Sequence, residues 1–144
     1  PPTRGPHDLL VNIEIKPVPG DEYRTGAAVA LDALSLWAGA AVPPLLSSFS
    51  EAALEAAREA APDLPRALLV KTLPTDWLDR LARLGCVGLD ANHGELDANV
   101  IQQAHTAGYK VLCYTVNDPA RAAELFGWGL DTLITDAVDR IAPA

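Results

Sequence analysis

Glu14 and Lys16 place a carboxylate and an ammonium group two residues apart in the run 11–16. The apolar residues at positions 11, 13 and 15 predict a strand, so Asn12, Glu14 and Lys16 point to its other face, because strand side chains alternate. In a barrel that face is the interior, where ligands bind near the carboxyl ends of the strands. In an edge strand of an open sheet the same face is solvated, and the two charges form a surface ion pair. This stretch alone leaves both interpretations open.

Polar residues recur at the carboxyl ends of the other predicted strands. They are Ser47 and Ser48, Lys71 and Thr72, Asp90 and Asn92, Thr115 and Asn117, and Thr135 and Asp136. A doubly wound sheet collects its chemistry at one crevice, where the strand order switches. A (β/α) barrel builds its active face from every strand, so the pattern favours the barrel. The sequence has no glycine-rich nucleotide-binding turn that would support the alternative.

The elements that position these residues are predicted to alternate between strand and helix, as in a parallel sheet with helices outside. The predicted strands are 11–16, 45–49, 67–73, 86–89, 110–116 and 130–135, and the predicted helices are 23–40, 51–61, 76–84, 97–106 and 119–126. Glycines at 85, 108 and 129 end successive helices at intervals of 23 and 21 residues, which is the pace of βα units.

Helix boundaries and faces are also predicted locally. We expect Ser50, Thr75 and Asp118 to cap helices, because their side-chain oxygens can accept from free N–H groups of the first turn. In the first helix, Ala28, Leu31, Leu34 and the run 36–38 are predicted to supply an apolar face.

The composition limits the class of protein. A length of 144 residues favours one domain, and a net charge of −8 argues against a nucleic-acid or anionic-membrane partner. There is no run of about 18 or more apolar residues, so no membrane span is predicted. Cys86 and Cys113 lie in strand-like runs, where buried thiols are commoner than disulfides, which favours a reducing, cytoplasmic compartment.

Other residues that could do chemistry have ordinary explanations. The His7-Asp8 pair lies ahead of the first strand and is more typical of an exposed loop than of a catalytic or metal-binding pair. His93 follows Asn92 near a glycine, where a solvated turn is the commoner role, and His105 is predicted on a helix surface. Ser47 and Ser48 have no G-x-S-x-G elbow, so a serine hydrolase is disfavoured.

Four motifs together resemble a known family. They are Asn12-Ile13-Glu14-Ile15-Lys16-Pro17, Ser47-Ser48-Phe49-Ser50, Tyr114-Thr115-Val116-Asn117-Asp118, and Gly129-Leu130-Asp131 leading to Ile134-Thr135-Asp136. In this order and spacing they resemble the C-terminal part of the glycerophosphodiester phosphodiesterase family, from about Leu10 onward. The resemblance implies a (β/α) TIM-type barrel that hydrolyses glycerophosphodiesters to sn-glycerol 3-phosphate and an alcohol, with a divalent cation, Mg²⁺ or Ca²⁺.

The resemblance also assigns roles to individual residues. Glu14 matches the metal-binding glutamate, which suits a hard cation, and Lys16 matches the lysine that approaches the substrate phosphate. Phe49 and Tyr114 match apolar walls around the glycerol moiety, although the family usually has tryptophan at the second position. Asn117 matches a residue at the rim, and Asp136 is interpreted as structural.

The family's remaining catalytic residues have no counterpart in this chain. They are a His-Arg pair, a Glu-x-Asp and a His-Asp on three strands upstream, and His7-Asp8 is too close to Glu14 to be one of them. We therefore expect residues 1–144 to form a single, incomplete barrel domain that starts at about the fourth strand. Six candidate strands added to three upstream make nine, and the run 86–89 is our choice for the one that is not a barrel stave.

Two expectations follow for the function. The chain is expected to be the C-terminal part of a phosphodiesterase, without catalytic residues of its own and inactive alone, that needs the missing N-terminal half or a second copy to close the barrel. The alternative is a non-catalytic barrel relative that binds a phosphate-bearing small molecule.

Overall fold

The computed structural model describes residues 10–142, which alternate between parallel strands and helices. The elements are β1 (Asn12–Glu14), α1 (Glu22–Leu36), β2 (Leu45–Ser48), α2 (Glu51–Ala60), β3 (Arg66–Val70), α3 (Trp77–Leu84), β4 (Gly88–Asn92), α4 (Ala98–Thr106), β5 (Lys110–Tyr114), α5 (Pro119–Gly127) and β6 (Thr132–Leu133). A 3-10 helix, His93–Glu95, follows β4. The chain divides into two compact units, with the boundary after the first residue of β3. The predicted pair His7-Asp8 lies outside the described residues.

In the first unit β1 and β2 pair in parallel, with Glu14 opposite Ser47. The ladder continues beyond β1, because the Ile15 N–H donates to the Ser47 C=O at 2.7 Å. Ile15 is 2% exposed and belongs to the core of this unit. Since strand side chains alternate, Glu14 and Lys16 lie on the opposite face from Ile15, as predicted.

Helix α1 buries its small residues and exposes its large ones. Gly26, Ala30 and Ala33 are buried, whereas Leu31 and Leu34 are 53% and 45% exposed. The leucines of the predicted apolar face, Leu31 and Leu34, therefore lie largely in solvent. Both faces of α1 carry apolar residues, and the face with the smaller side chains is the one that packs in the unit.

A glycine lies where α1 contacts α2. A Cβ atom on Gly26 would lie only 2.2 Å from the carbonyl oxygen of Ala53 and 2.7 Å from its Cα. Real Cβ atoms do not approach backbone this closely, so only glycine allows the two helices to pack at this distance. Helix α2 contributes Ala53 and Ala57 to the core cluster that contains Ala30 and Ala33 of α1, again small residues.

In the second unit β3, β4, β5 and β6 are parallel and lie in sequence order. Strand β4 is paired on both sides, with Asp90 opposite Leu69 of β3 and Leu112 of β5. The prediction that the run 86–89 is not a stave is therefore wrong, because it leads into this central strand. The strand extends to Asn92. Asp90, which was predicted to mark its end, therefore lies within it.

Among the described residues, side chains cap three of the α-helices. Ser50 accepts from Ala53 N–H at 3.1 Å, and Asp118 accepts from Ala120 N–H at 3.2 Å, so both predicted caps are confirmed. Asp97 also accepts from the first turn of α4. Thr75 does not cap α3, because its N-cap residue is Asp76, so that prediction is wrong.

The order of the strands distinguishes between the two predicted architectures. Within each unit the described strands follow one another in chain order, and no reversal of that order occurs among residues 10–142. A (β/α) barrel has this order, whereas a doubly wound sheet requires a switch. In the same described range, no helix combines the length and the apolarity that crossing a lipid bilayer would require.

Candidate active site

Glu14 and Lys16 form an ion pair at the carboxyl end of β1. The Lys16 Nζ atom lies 2.9 Å from Glu14 Oε2, and the two side chains are 81% and 30% exposed. Lys16 is solvated, whereas Glu14 Oε2 itself is shielded from water. Because one partner is solvated, such a pair contributes only about 0–1 kcal/mol to stability. The pair presents a carboxylate that suits a cation and an ammonium group that suits an anion.

A cleft of about 390 Å³ lies next to this ion pair, at the carboxyl ends of β1 and β2. Lys16 and Phe49 line it, together with Ile15, Pro17, Pro19, Glu22, Ser48 and Ser50. The Phe49 side chain is 43% exposed. Two of the residues predicted to bind substrate therefore border one cleft within the first unit.

The serines beside Phe49 have structural roles. The Ser48 hydroxyl donates to the Ile15 C=O at 2.7 Å and accepts from the Ser50 N–H at 3.1 Å. The Ser47 hydroxyl donates to Asn12 Oδ1 at 2.9 Å. These bonds hold the turn that carries Phe49 against β1, and among residues 10–142 neither hydroxyl is paired with a histidine base.

Glu22 is a charged residue of the cleft that the sequence reasoning did not single out. Its Oε2 atom accepts from the Gly20 N–H at 3.0 Å. Hydrogen bonds from its own backbone N–H and from that of Gly20 lower the pKa of Glu22. The cleft therefore carries an ionised carboxylate as well as the Lys16 ammonium group. The signal available in the sequence was the Pro19-Gly20 turn ahead of an acidic residue in the first turn of a helix.

In the second unit, Tyr114 and Asn117 make defined contacts. The Tyr114 hydroxyl donates to the Val70 C=O at 2.9 Å, and partial burial raises the pKa of Tyr114. Asn117 Oδ1 accepts from the Thr135 hydroxyl at 3.1 Å and from the Asp136 N–H at 2.9 Å. Asn117 thus joins the chain after β5 to the chain after β6.

Asp90 is a second residue whose character the sequence did not predict. It is fully buried, and neither carboxylate oxygen has a hydrogen-bond partner. Burial raises the pKa of Asp90 to about 7. Because strand side chains alternate, Asp90 lies on the same face of the sheet as Leu112 and Tyr114. Tyr114 reaches from β5 to Val70 of β3, so its side chain crosses β4 on this face.

The two described histidines are held by other side chains. Arg121 donates to His93 Nδ1 at 3.3 Å and to the His93 C=O at 2.6 Å. His105 Nε2 lies 2.7 Å from Asp131 Oδ2, at the surface. The contacts of His93 agree with its interpretation as a turn residue, and His105 is on the surface of α4 as predicted.

The described residues contain no complete cation site. Among residues 10–142 there is no group of three or more histidine, cysteine, aspartate or glutamate side chains that could hold a metal ion. Glu14 offers one carboxylate. Mg²⁺ is commonly held by one or two carboxylates, with waters and substrate phosphates as its other ligands. The chemistry of the Glu14 carboxylate therefore fits the role of one ligand of such a cation.

Comparisons with known proteins identify the family. Residues 6–140 match the model of the glycerophosphoryl diester phosphodiesterase family. No curated protein sequence matches the chain significantly.

Several solved structures are similar to the chain. One is a phosphodiesterase from Oleispira antarctica in complex with the product sn-glycerol-3-phosphate, with 33% identity, a TM-score of 0.80, and coverage of 90% of this chain and 52% of that one. The glycerophosphodiester phosphodiesterase from Thermotoga maritima is 21% identical with a TM-score of 0.70, over 92% of this chain and 56% of that one.

An N-acetylmannosamine-6-phosphate 2-epimerase from Clostridium perfringens is 11% identical, with a TM-score of 0.65 over 86% of this chain and 60% of that one, and shares the fold alone. The chain spans about half the length of the first two relatives. It therefore has the α/β fold of an incomplete (β/α) TIM-type barrel, and it belongs to the glycerophosphoryl diester phosphodiesterase family.

Proposed function

We propose that the chain is the C-terminal part, from about the fourth strand onward, of a metal-dependent phosphodiesterase that hydrolyses glycerophosphodiesters to sn-glycerol 3-phosphate and an alcohol. The observation that carries this proposal is the Glu14–Lys16 ion pair, whose lysine lines the same cleft as Phe49. Members of the family generally depend on a divalent metal. The sn-glycerol-3-phosphate bound to the Oleispira antarctica relative supports the proposed product.

Each residue of the ion pair has a role in this proposal. Lys16 binds a phosphate oxygen of the substrate, and Glu14 is a ligand of the cation, Mg²⁺ or Ca²⁺. When bound, the cation supplies positive charge to the phosphoryl oxygens. Because the Lys16 ammonium group is solvated, a phosphate can take the place of Glu14 beside it, and a cation can take the place of Lys16 beside the shielded Glu14 oxygen. By family resemblance, Phe49 and Tyr114 are apolar walls for the glycerol moiety, and Asn117 lies at the rim.

The general acid and base are proposed to lie upstream. Such residues must be within hydrogen-bond reach of the reacting group, and histidine is the commonest choice. His93 and His105 are engaged with Arg121 and Asp131. The described residues thus contribute binding groups, and the histidines that move protons belong to the part of the enzyme that precedes this chain.

Activity assays with and without the upstream segment test the proposal. We expect the chain alone to hydrolyse glycerophosphocholine no faster than background in Mg²⁺ or Ca²⁺. We expect hydrolysis from the joined protein, in which the chain follows the segment that its gene encodes upstream. In the joined protein, Glu14→Gln should lower kcat/KM by about 100-fold or more, because a metal ligand is lost. Glu55→Gln, an exposed change on α2, is the matched control and should leave the rate unchanged. Turnover by the chain alone that disappears in Glu14→Ala would contradict the proposal.

A non-catalytic relative that binds a phosphate-bearing small molecule is the second candidate. The observation that favours it is the single carboxylate that the described residues offer to a cation. In that case the joined protein would bind sn-glycerol 3-phosphate through Lys16 and show no metal-dependent turnover.

We further propose that a missing N-terminal half or a second copy completes the barrel. Among the described residues β1 pairs only with β2, and Leu31, Leu34 and Leu36 of α1 are exposed. Open strand edges and apolar helix faces promote association. We expect sedimentation to show concentration-dependent association that Leu31→Glu with Leu34→Glu weakens at least tenfold, whereas Asp32→Asn does not. A chain that stays monomeric at every concentration tested would contradict this.

A further inference from the structure

The cleft of the first unit has opposite charges among its lining residues. Lys16 contributes an ammonium group that is 81% exposed, and Glu22 contributes a carboxylate at the start of α1. The volume of about 390 Å³ lies within the range of small-molecule sites. A ligand that fills such a cleft meets a positive group and a negative group at once.

The Glu22 carboxylate is a negative charge that a backbone hydrogen bond holds in place. The hydrogen bond from the Gly20 N–H at 3.0 Å orients its carboxylate, and the lowered pKa keeps it ionised throughout the neutral range. The proposed hydrolysis gives this carboxylate no role. Its hydrogen bonds come from the backbone N–H groups of Gly20 and of Glu22 itself. An anion that lines a substrate cleft without a catalytic role attracts a cationic part of the ligand.

Phe49 is assigned to the glycerol moiety in the proposed function, which places that part of the ligand in the cleft that Glu22 lines. Its side chain is 43% exposed and lines the same cleft as Glu22. The ammonium group of the alcohol is attracted by the Glu22 carboxylate through opposite charge. The net charge of −8 for the chain acts in the same direction over longer distances.

We propose that Glu22 determines substrate specificity by binding the ammonium group of the alcohol, so that zwitterionic glycerophosphodiesters are the preferred substrates. This inference rests on the proposed function, because it requires that Lys16 binds the phosphate of the same ligand. A neutral alcohol such as glycerol can also donate to Glu22, but without the attraction between opposite charges. The trimethylammonium group of choline donates no hydrogen bond, so the two classes of substrate are distinguished by the attraction between its charge and the Glu22 carboxylate, which a neutral alcohol lacks.

Equilibrium binding to the chain tests the inference. Glycerophosphocholine carries an ammonium group, and glycerophosphoglycerol carries a neutral alcohol at the same place. In NMR titrations the wild type should bind the first about tenfold more tightly than the second. In Glu22→Gln, which keeps the size and the acceptor for Gly20, the two affinities should agree within about twofold. The preference should not change between pH 6 and pH 8, because Glu22 stays ionised.

The matched control is Asp21→Asn. It removes one negative charge at the residue that precedes Glu22 in the sequence and does not line the cleft. It should retain the preference, and an equal loss in both variants would show a long-range charge effect and overturn the inference. Equal binding of both diesters by the wild type, or binding of neither, would overturn it as well. If choline alone bound as tightly as glycerophosphocholine, the site would serve a free amine and not a phosphodiester. Hydrolysis by the joined protein with no preference in binding would overturn the inference and leave the proposed function intact.

Discussion

Gly26→Ala should lower the free energy of unfolding by about 3 kcal/mol, the upper range for overpacking a core, because the added methyl group meets backbone and not a side chain that can rotate away. The new Cβ atom would lie 2.2 Å from the Ala53 carbonyl oxygen and 2.8 Å from its carbonyl carbon. To relieve these contacts α1 and α2 must separate, which would open the interface that also buries Ala30 and Ala33. Urea denaturation followed by far-ultraviolet circular dichroism measures the change.

Gly127→Ala is the matched control for this prediction. Gly127 is the last residue of α5, and a Cβ atom there would meet nothing within 4 Å. Alanine should therefore stabilise the chain by up to about 1 kcal/mol, because glycine loses more backbone entropy in a helix. Opposite signs for the two substitutions are expected. If Gly26→Ala were neutral or stabilising, the close packing of α1 on α2 would be disproved.

The second large effect is a loss of stability with rising pH that comes from Asp90. Its pKa is raised from 3.8 to about 7 by burial, so the folded chain keeps this proton after the unfolded chain has released it. Stability from such a group is fully present below pH 4 and is lost as the pH rises towards and through 7. At about 1.4 kcal/mol for each pH unit, the loss amounts to roughly 4 kcal/mol by pH 8.

Asp90→Asn isolates this contribution, because asparagine has nearly the same shape and cannot ionise. The variant and the wild type should have similar stability at pH 4.5, and at pH 8 the variant should be more stable by several kcal/mol. Unfolding in urea at pH 4.5, 6 and 8 measures the difference between the two curves. Asp79→Asn, an exposed change on α3, should follow the wild type at every pH. Parallel curves for wild type and Asp90→Asn would show that Asp90 titrates normally in the folded chain.

The alternation of strands and helices was predictable because it depends on short-range patterns. Apolar alternation in 11–16 places Glu14 and Lys16 on one face, and the structure pairs them at 2.9 Å. Helix ends were predictable where a local signal exists, as at Ser50 and Gly85. The residues assigned to substrate came from family motifs, and their roles stay predictions.

The wrong predictions concern features that depend on contacts between residues far apart in the sequence. Periodicity predicted that α1 has an apolar face. Which face is buried depends on the packing against α2, where Gly26 lies against the Ala53 backbone while Leu31 stays exposed. Asp90 looked like the polar end of a strand, because hydrophilic residues usually end buried strands. Only the pairing of β4 with β3 and β5 shows that it lies inside the sheet.

The sequential order of strands in the second unit has a consequence for how this unit forms. Gly88 pairs with Lys110, so each new strand joins one that was completed about 22 residues earlier. The entropy lost in closing a chain segment grows only with the logarithm of its length, and here every closure has a similar, short length. Strands can therefore add one at a time as the chain leaves the ribosome, without waiting for a distant partner. A topology of this kind reduces the time during which an unpaired strand is exposed to other chains.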